Sequence, residues 1–124
     1  MKNSTKLEDQ VLQMLLRGED ECLAVLRQQA EQASVYFREM TGVGFFSEIQ
    51  VPPEAPRITG RPSFTLGDVN GTAENVTHGL GFVLFVTEGA LSMLEGYTYD
   101  EPWPDEFRSL VLAYSTGQER ARKS

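Results

Sequence analysis

Apolar spacing along this chain changes once, at Ser34, and that switch restricts the fold more than any other feature of the sequence. Before it, Leu7, Val11, Met14 and Leu15 recur at i, i+4, i+7 and i+8, the stripe of one helix. Cys22, Leu23, Leu26, Ala30 and Ala33 line one side of a second. Thr5 and Glu8 have capping-box spacing, Gly18 suits a C-terminal cap, and Glu19, Asp20 and Glu21 place negative charge where a second helix begins.

After Ser34 the residues are aromatic or β-branched with glycine punctuation. Val35 and Phe37, then Val43, Phe45, Ile49 and Val51, read as two short strands joined around Thr41 and Gly42. Residues 52 to 62 hold four prolines and predict an extended loop that includes Arg57 and Arg61. A third strand starts at Phe64, Leu66 and Val69. It is expected to run past Asn70 and reverse near Asn75 to Gly79. Gly81 to Val86 and Ala90 to Tyr99 flank Glu88-Gly89, the strongest hairpin signal in the chain. A last strand is expected over Phe107 to Tyr114, with Leu110, Leu112 and Tyr114 on one face. Helices first and strands afterwards predict an α+β fold: two N-terminal helices packed on one face of an antiparallel sheet of five or six strands.

With 124 residues, 40% of them hydrophobic, the chain suits one globular domain, expected over 1–118, with a basic tail at 119–124. The net charge of -7 is more acidic still in the body, because Arg120, Arg122 and Lys123 lie in the tail. Phosphate recognition needs clustered Lys and Arg, so no nucleic-acid partner is expected. Cys22 is the only cysteine and cannot close an intramolecular disulfide. The first ten residues reach acids before any apolar run of signal-peptide length, and the run from Phe82 to Val86 is far shorter than the roughly 20 residues that span a bilayer. A cytoplasmic protein with no membrane partner is expected.

Signals for chemistry are sparse. His78 is the only histidine, and Cys22 lies on an apolar helical face. Gly42-Val43-Gly44 and Gly79-Leu80-Gly81 precede strands and complete no dinucleotide motif; no serine sits in G-x-S-x-G; the acids at 100 to 106 do not follow the calcium-loop pattern. No catalytic residue, metal ligand or cofactor is assigned, and the reading leans away from an enzyme.

The segment LEGYTYDEPWPDEF, residues 94 to 107, is the exception to this blandness. It packs five carboxylates and four aromatic rings into fourteen positions with no basic residue. Pro102 and Pro104 hold Trp103 extended. Glu95, Tyr97, Tyr99, Asp100, Glu101, Trp103, Asp105 and Glu106 are therefore the candidate binding residues, the acids steering a basic protein and the rings anchoring it. The competing structural reading has Trp103 and Phe107 sealing the sheet. In TGVGFF, residues 41 to 46, Phe45 and Phe46 must point to opposite faces, so one of them needs a second cover or a partner.

On TGVGFF, GFVLFV at 81 to 86 and LEGYTYDEPWP at 94 to 104, the chain resembles a group of small bacterial proteins that carry similar segments in the same order. That resemblance spans about residues 34 to 107, implies a self-standing bacterial domain and transfers no catalytic residue. In size, charge and class the chain is also similar, more loosely, to immunity proteins, which neutralise toxins by binding them. The expectation is a non-catalytic protein-binding module, an immunity-type inhibitor being its specific form. Two alternatives are a small-molecule or minor hydrolytic pocket between helices and sheet, using Glu88 or Glu95 with Arg57 or Arg61, and a homodimer joined through sheet edges or an exposed Phe45 or Phe46 face.

Overall fold

A computed structural model describes residues 1–60 and 63–115. Two helices, α1 (Lys6–Leu15) and α2 (Glu21–Gln32), precede seven strands: β1 (Ser34–Met40), β2 (Gly44–Gln50), β3 (Phe64–Leu66), β4 (Val69–Ala73), β5 (Val76–Thr87), β6 (Ala90–Thr98) and β7 (Val111–Tyr114). The fold is α+β with an antiparallel sheet, as the periodicity predicts. The expected tail at 119–124 and Arg61 lie outside the described residues. Among the described residues no helix is long and apolar enough to cross a membrane.

The capping box forms at α1, with Glu8 N–H donating to the Thr5 hydroxyl and Thr5 N–H to the Glu8 carboxylate. Gly18 is not the C-terminal cap. The helix ends at Leu15 with Leu16 as its cap, and Arg27 of α2 reaches back to the carbonyls of Leu16 and Gly18 at 2.5 and 3.1 Å. A guanidinium from the next helix satisfies acceptors that a helix end otherwise leaves open.

The sheet runs in the order β1-β2-β6-β5-β4-β7, and β3 also pairs with β5. It has one strand more than the upper expectation because the run from Phe64 is interrupted after Leu66 and resumes at Val69; both pieces pair antiparallel with β5. Asn70-Gly71 lies inside β4, and the reversal falls at Glu74-Asn75, at the near end of the predicted window. The β5–β6 hairpin closes through Glu88 and Gly89, both at positive φ (52° and 79°), which matches the twist of the strands it joins. The final strand is shorter than expected: only Val111–Tyr114 pairs, with β4, while Phe107 to Leu110 form a loop.

Both helices lie on one sheet face. Val11, Leu12 and Leu15 of α1 and Leu23 and Leu26 of α2 pack into a core with Phe45, Ile49, Leu80, Phe82, Leu84 and Leu94. Each such side chain removed from water contributes about 1.5–3 kcal/mol. Gln29, fully buried on α2, ties the layers together: its amide donates to the carbonyls of Pro56 and Gly89, and Leu91 N–H donates to its oxygen.

Candidate functional site

Strand alternation sorts the 94–107 segment into different places. Leu94, Gly96 and Thr98 of β6 are buried, so Glu95 and Tyr97 point to the face opposite the helices. On that face the register builds a checkerboard. Glu39, Phe46, Glu95 and Val83 lie side by side across β1, β2, β6 and β5, and Phe37, Glu48, Met93 and Phe85 form the adjacent row. Across β1, β2 and β6 carboxylates thus alternate with apolar side chains in both directions, and β5 adds the apolar Val83 and Phe85 beside them. Phe37 and Phe46 rings stand 6.5 Å apart, and the Tyr36 hydroxyl donates to Glu48 at 3.2 Å. Phe46, Val83, Phe85, Met93 and Tyr97 are half-buried, whereas Tyr36 and Phe37 are exposed. Arg38 is the only Lys or Arg in β1, β2, β5 and β6, and it faces the helices.

Tyr97 is held flat. It sits between Gly44 and Gly81 in register, and a Cβ on Gly81 would collide with the phenol ring. Its ring meets Tyr99 edge-on at 5.4 Å. Burial, the contact with Tyr99 and the charge of Glu95 push the Tyr97 phenol above its usual range. Phe45 and Phe46 point to opposite faces as alternation requires, Phe45 into the core and Phe46 into the checkerboard.

The other candidates lie elsewhere. Both Glu101 carboxylate oxygens are occupied, accepting Thr77 N–H at 2.9 Å and His78 N–H at 2.8 Å, which holds that carboxyl below the usual range. Trp103 is on the helix side. Its ring stands edge-on to Phe45 at 5.4 Å and to Phe107 at 5.1 Å and packs against the core, and the Trp103 backbone N–H donates to the Gly42 carbonyl at 2.9 Å. The structure therefore separates Trp103 from Tyr97 and Tyr99 and gives it the sealing role. Asp100, Asp105 and Glu106 are exposed.

Sequence reasoning missed a polar cluster between α1 and the sheet. Glu8, only 1% exposed, receives Arg38 Nη2 at 2.5 Å on Oε1 and Arg38 Nε at 3.0 Å on Oε2, and the Ser47 hydroxyl also donates to Oε2. Burial alone would raise the Glu8 carboxyl, but the Arg38, Ser47 and Thr5 donors outweigh it and hold the group below its usual range. One signal was available: Arg38 alternates with Phe37 and Glu39 on a strand and so had to face inward, where a guanidinium needs an anion.

Among the described residues, which exclude the alternative Arg61, the set proposed for a hydrolytic pocket does not assemble. Glu88 is at the hairpin tip, Glu95 is on the far face, and Arg57 donates to the carbonyls of Val51, Pro52 and Ala55 at 3.1, 2.6 and 2.8 Å.

No protein-family model matches the chain, and searches of curated proteins and of solved structures find no match. Its function rests on the geometry.

Proposed function

We propose that this protein is a non-catalytic binding module that docks a basic protein against the helix-free face of its sheet. The observation that carries this reading is the checkerboard of Glu39, Glu48 and Glu95 among Phe37, Phe46, Phe85 and Met93, with the one basic residue of those strands turned away. Apolar side chains supply area to desolvate, while interspersed carboxylates steer cations and reject acidic partners. A second copy of the chain is a poor occupant, because it would bring like charges to the same face. Strand addition at the β1 edge is also disfavoured. That edge carries a bulge between Val35 and Phe37 and the inward-pointing charge of Arg38, two devices that block edge pairing. An immunity-type inhibitor covering a basic surface is the specific form of this function that size and charge suggest.

Affinity capture from the source cell at low and high salt tests the proposal. The wild type is compared with Glu39→Gln/Glu48→Gln/Glu95→Gln and with Glu19→Gln/Glu21→Gln/Glu31→Gln, which changes net charge equally on the helical layer. A salt-sensitive basic partner lost about tenfold or more by the first triple variant and kept by the second is expected. Equal loss in both variants would reduce the interaction to net charge and overturn the proposal.

A further inference from the structure

We infer that the corner around Trp103 is a cage for one cationic side chain of the partner, an alkylammonium or guanidinium. This rests on the binding-module reading and adds a second point of recognition to it. A cavity of about 230 Å³ opens there, walled by Phe45, Trp103 and Phe107 and flanked by Met40, Arg38 and Asp105. A second depression of about 340 Å³ shares Met40, Trp103 and Asp105 with it. Sites for small molecules run to about 300–1,000 Å³, so the walled cavity is sized for a single side chain.

Its chemistry favours a cation. Trp103 stands edge-on to both Phe45 and Phe107, and the three rings line one volume; a cation within about 6 Å of an aromatic ring is attracted to its face. Arg38 does not oppose this. Its Nε and Nη2 are spent on Glu8, Ser47 and the Asn3 carbonyl, so that guanidinium and the Glu8 carboxylate cancel at short range. The remaining charge among the residues that line the cavity is the exposed carboxylate of Asp105. An anion would meet Asp105 and find Arg38 occupied. The cage is also rigid, because Pro102 and Pro104 bracket Trp103 and its backbone N–H is tied to the β1–β2 turn.

The location makes one partner able to use both surfaces. Met40 and Val43, 58% and 50% exposed, sit at the β1–β2 turn between the cavity and the row that contains Glu39 and Phe46. Exposed apolar side chains at that corner offer a path by which a bound chain crosses from the sheet face to the cage.

Trp103 is the only tryptophan, so its fluorescence reports on the cavity directly. The full chain is titrated with Nα-acetyl-lysine methylamide and, as an uncharged isostere, Nα-acetyl-norleucine methylamide. A saturable change in Trp103 emission with the lysine probe, none with norleucine at the same concentration, and roughly fivefold weaker binding in Asp105→Asn are expected. Glu21→Gln, exposed on the helical layer and outside both proposed surfaces, should titrate as wild type. Equal response to both probes, or no response to lysine, overturns the cage; so does an Asp105→Asn variant that binds lysine as tightly as wild type. If lysine binds as described while the Glu39, Glu48 and Glu95 substitutions leave basic partners unaffected, the sheet-face reading fails and the cage stands. The reverse pattern removes the cage and keeps the sheet face.

Discussion

Arg38 Nη2 lies 2.5 Å from Oε1 of Glu8, joining an edge strand to the first turn of α1 across thirty positions of sequence. Glu8 has two roles at once. It completes the capping box of its own helix and receives both nitrogens of a guanidinium, so the helix cannot shift without breaking the pair. The pair orders the helix-side wall of the Trp103 corner.

Removing one partner should cost more than removing both. Arg38→Met leaves a buried carboxylate without its cation and is expected to destabilise the fold by about 3 kcal/mol, the low end for a broken buried pair because Arg38 is partly exposed. The double variant Glu8→Leu/Arg38→Met should be more stable than Arg38→Met alone. Urea denaturation measures both; additive losses would contradict the coupling.

Stability should fall in acid for a defined reason. The Glu8 carboxyl is held below its ordinary value of 4.5 in the folded protein, so its contribution is fully present above that value and is lost as pH falls through the folded pKa. Glu101, lowered by the Thr77 and His78 donors, acts in the same direction. Thermal melts at successive pH values should show a plateau above about 5 and a decline below it. Glu8→Gln should flatten part of that decline while leaving the Glu101 part.

Close approach at two glycines fixes the sheet around Tyr97. Gly81→Ala would drive a methyl into the Tyr97 ring, with an expected loss of about 1–3 kcal/mol. Gly44→Ala should cost more, because its Cβ would meet the Gly96 carbonyl and the Tyr97 Cα, which are backbone atoms that cannot rotate away. Combining Gly81→Ala with Tyr97→Ser should recover part of the first loss, as read from melting temperatures.

Local signals in the sequence specified local structure well. Thr5-x-x-Glu8 placed the start of α1, and Glu88-Gly89 placed the β5–β6 turn, because both motifs act over a few residues. Alternation required Phe45 and Phe46 to face opposite sides, but which of them enters the core, Phe45, shows only in the structure. Properties that depend on register did not show. Whether Glu39, Phe46 and Glu95 share a row depends on how β1, β2 and β6 align, and no single strand encodes that. The 94–107 segment looked like one patch because its residues are neighbours in sequence. A strand that runs out of the sheet into a proline-flanked loop places Tyr97 on one side and Trp103 on the other. Gly18 misled because a cap can be supplied from another helix, here by Arg27.

The sheet face can be interrogated residue by residue. A ¹⁵N-labelled sample titrated with an octalysine peptide at low salt should shift the amides of Phe37, Glu39, Phe46, Glu48, Met93, Glu95 and Tyr97 before those of the helical layer. Shifts centred on Glu19, Glu21 and Glu31, or spread evenly over every exposed carboxylate, would contradict a built docking face.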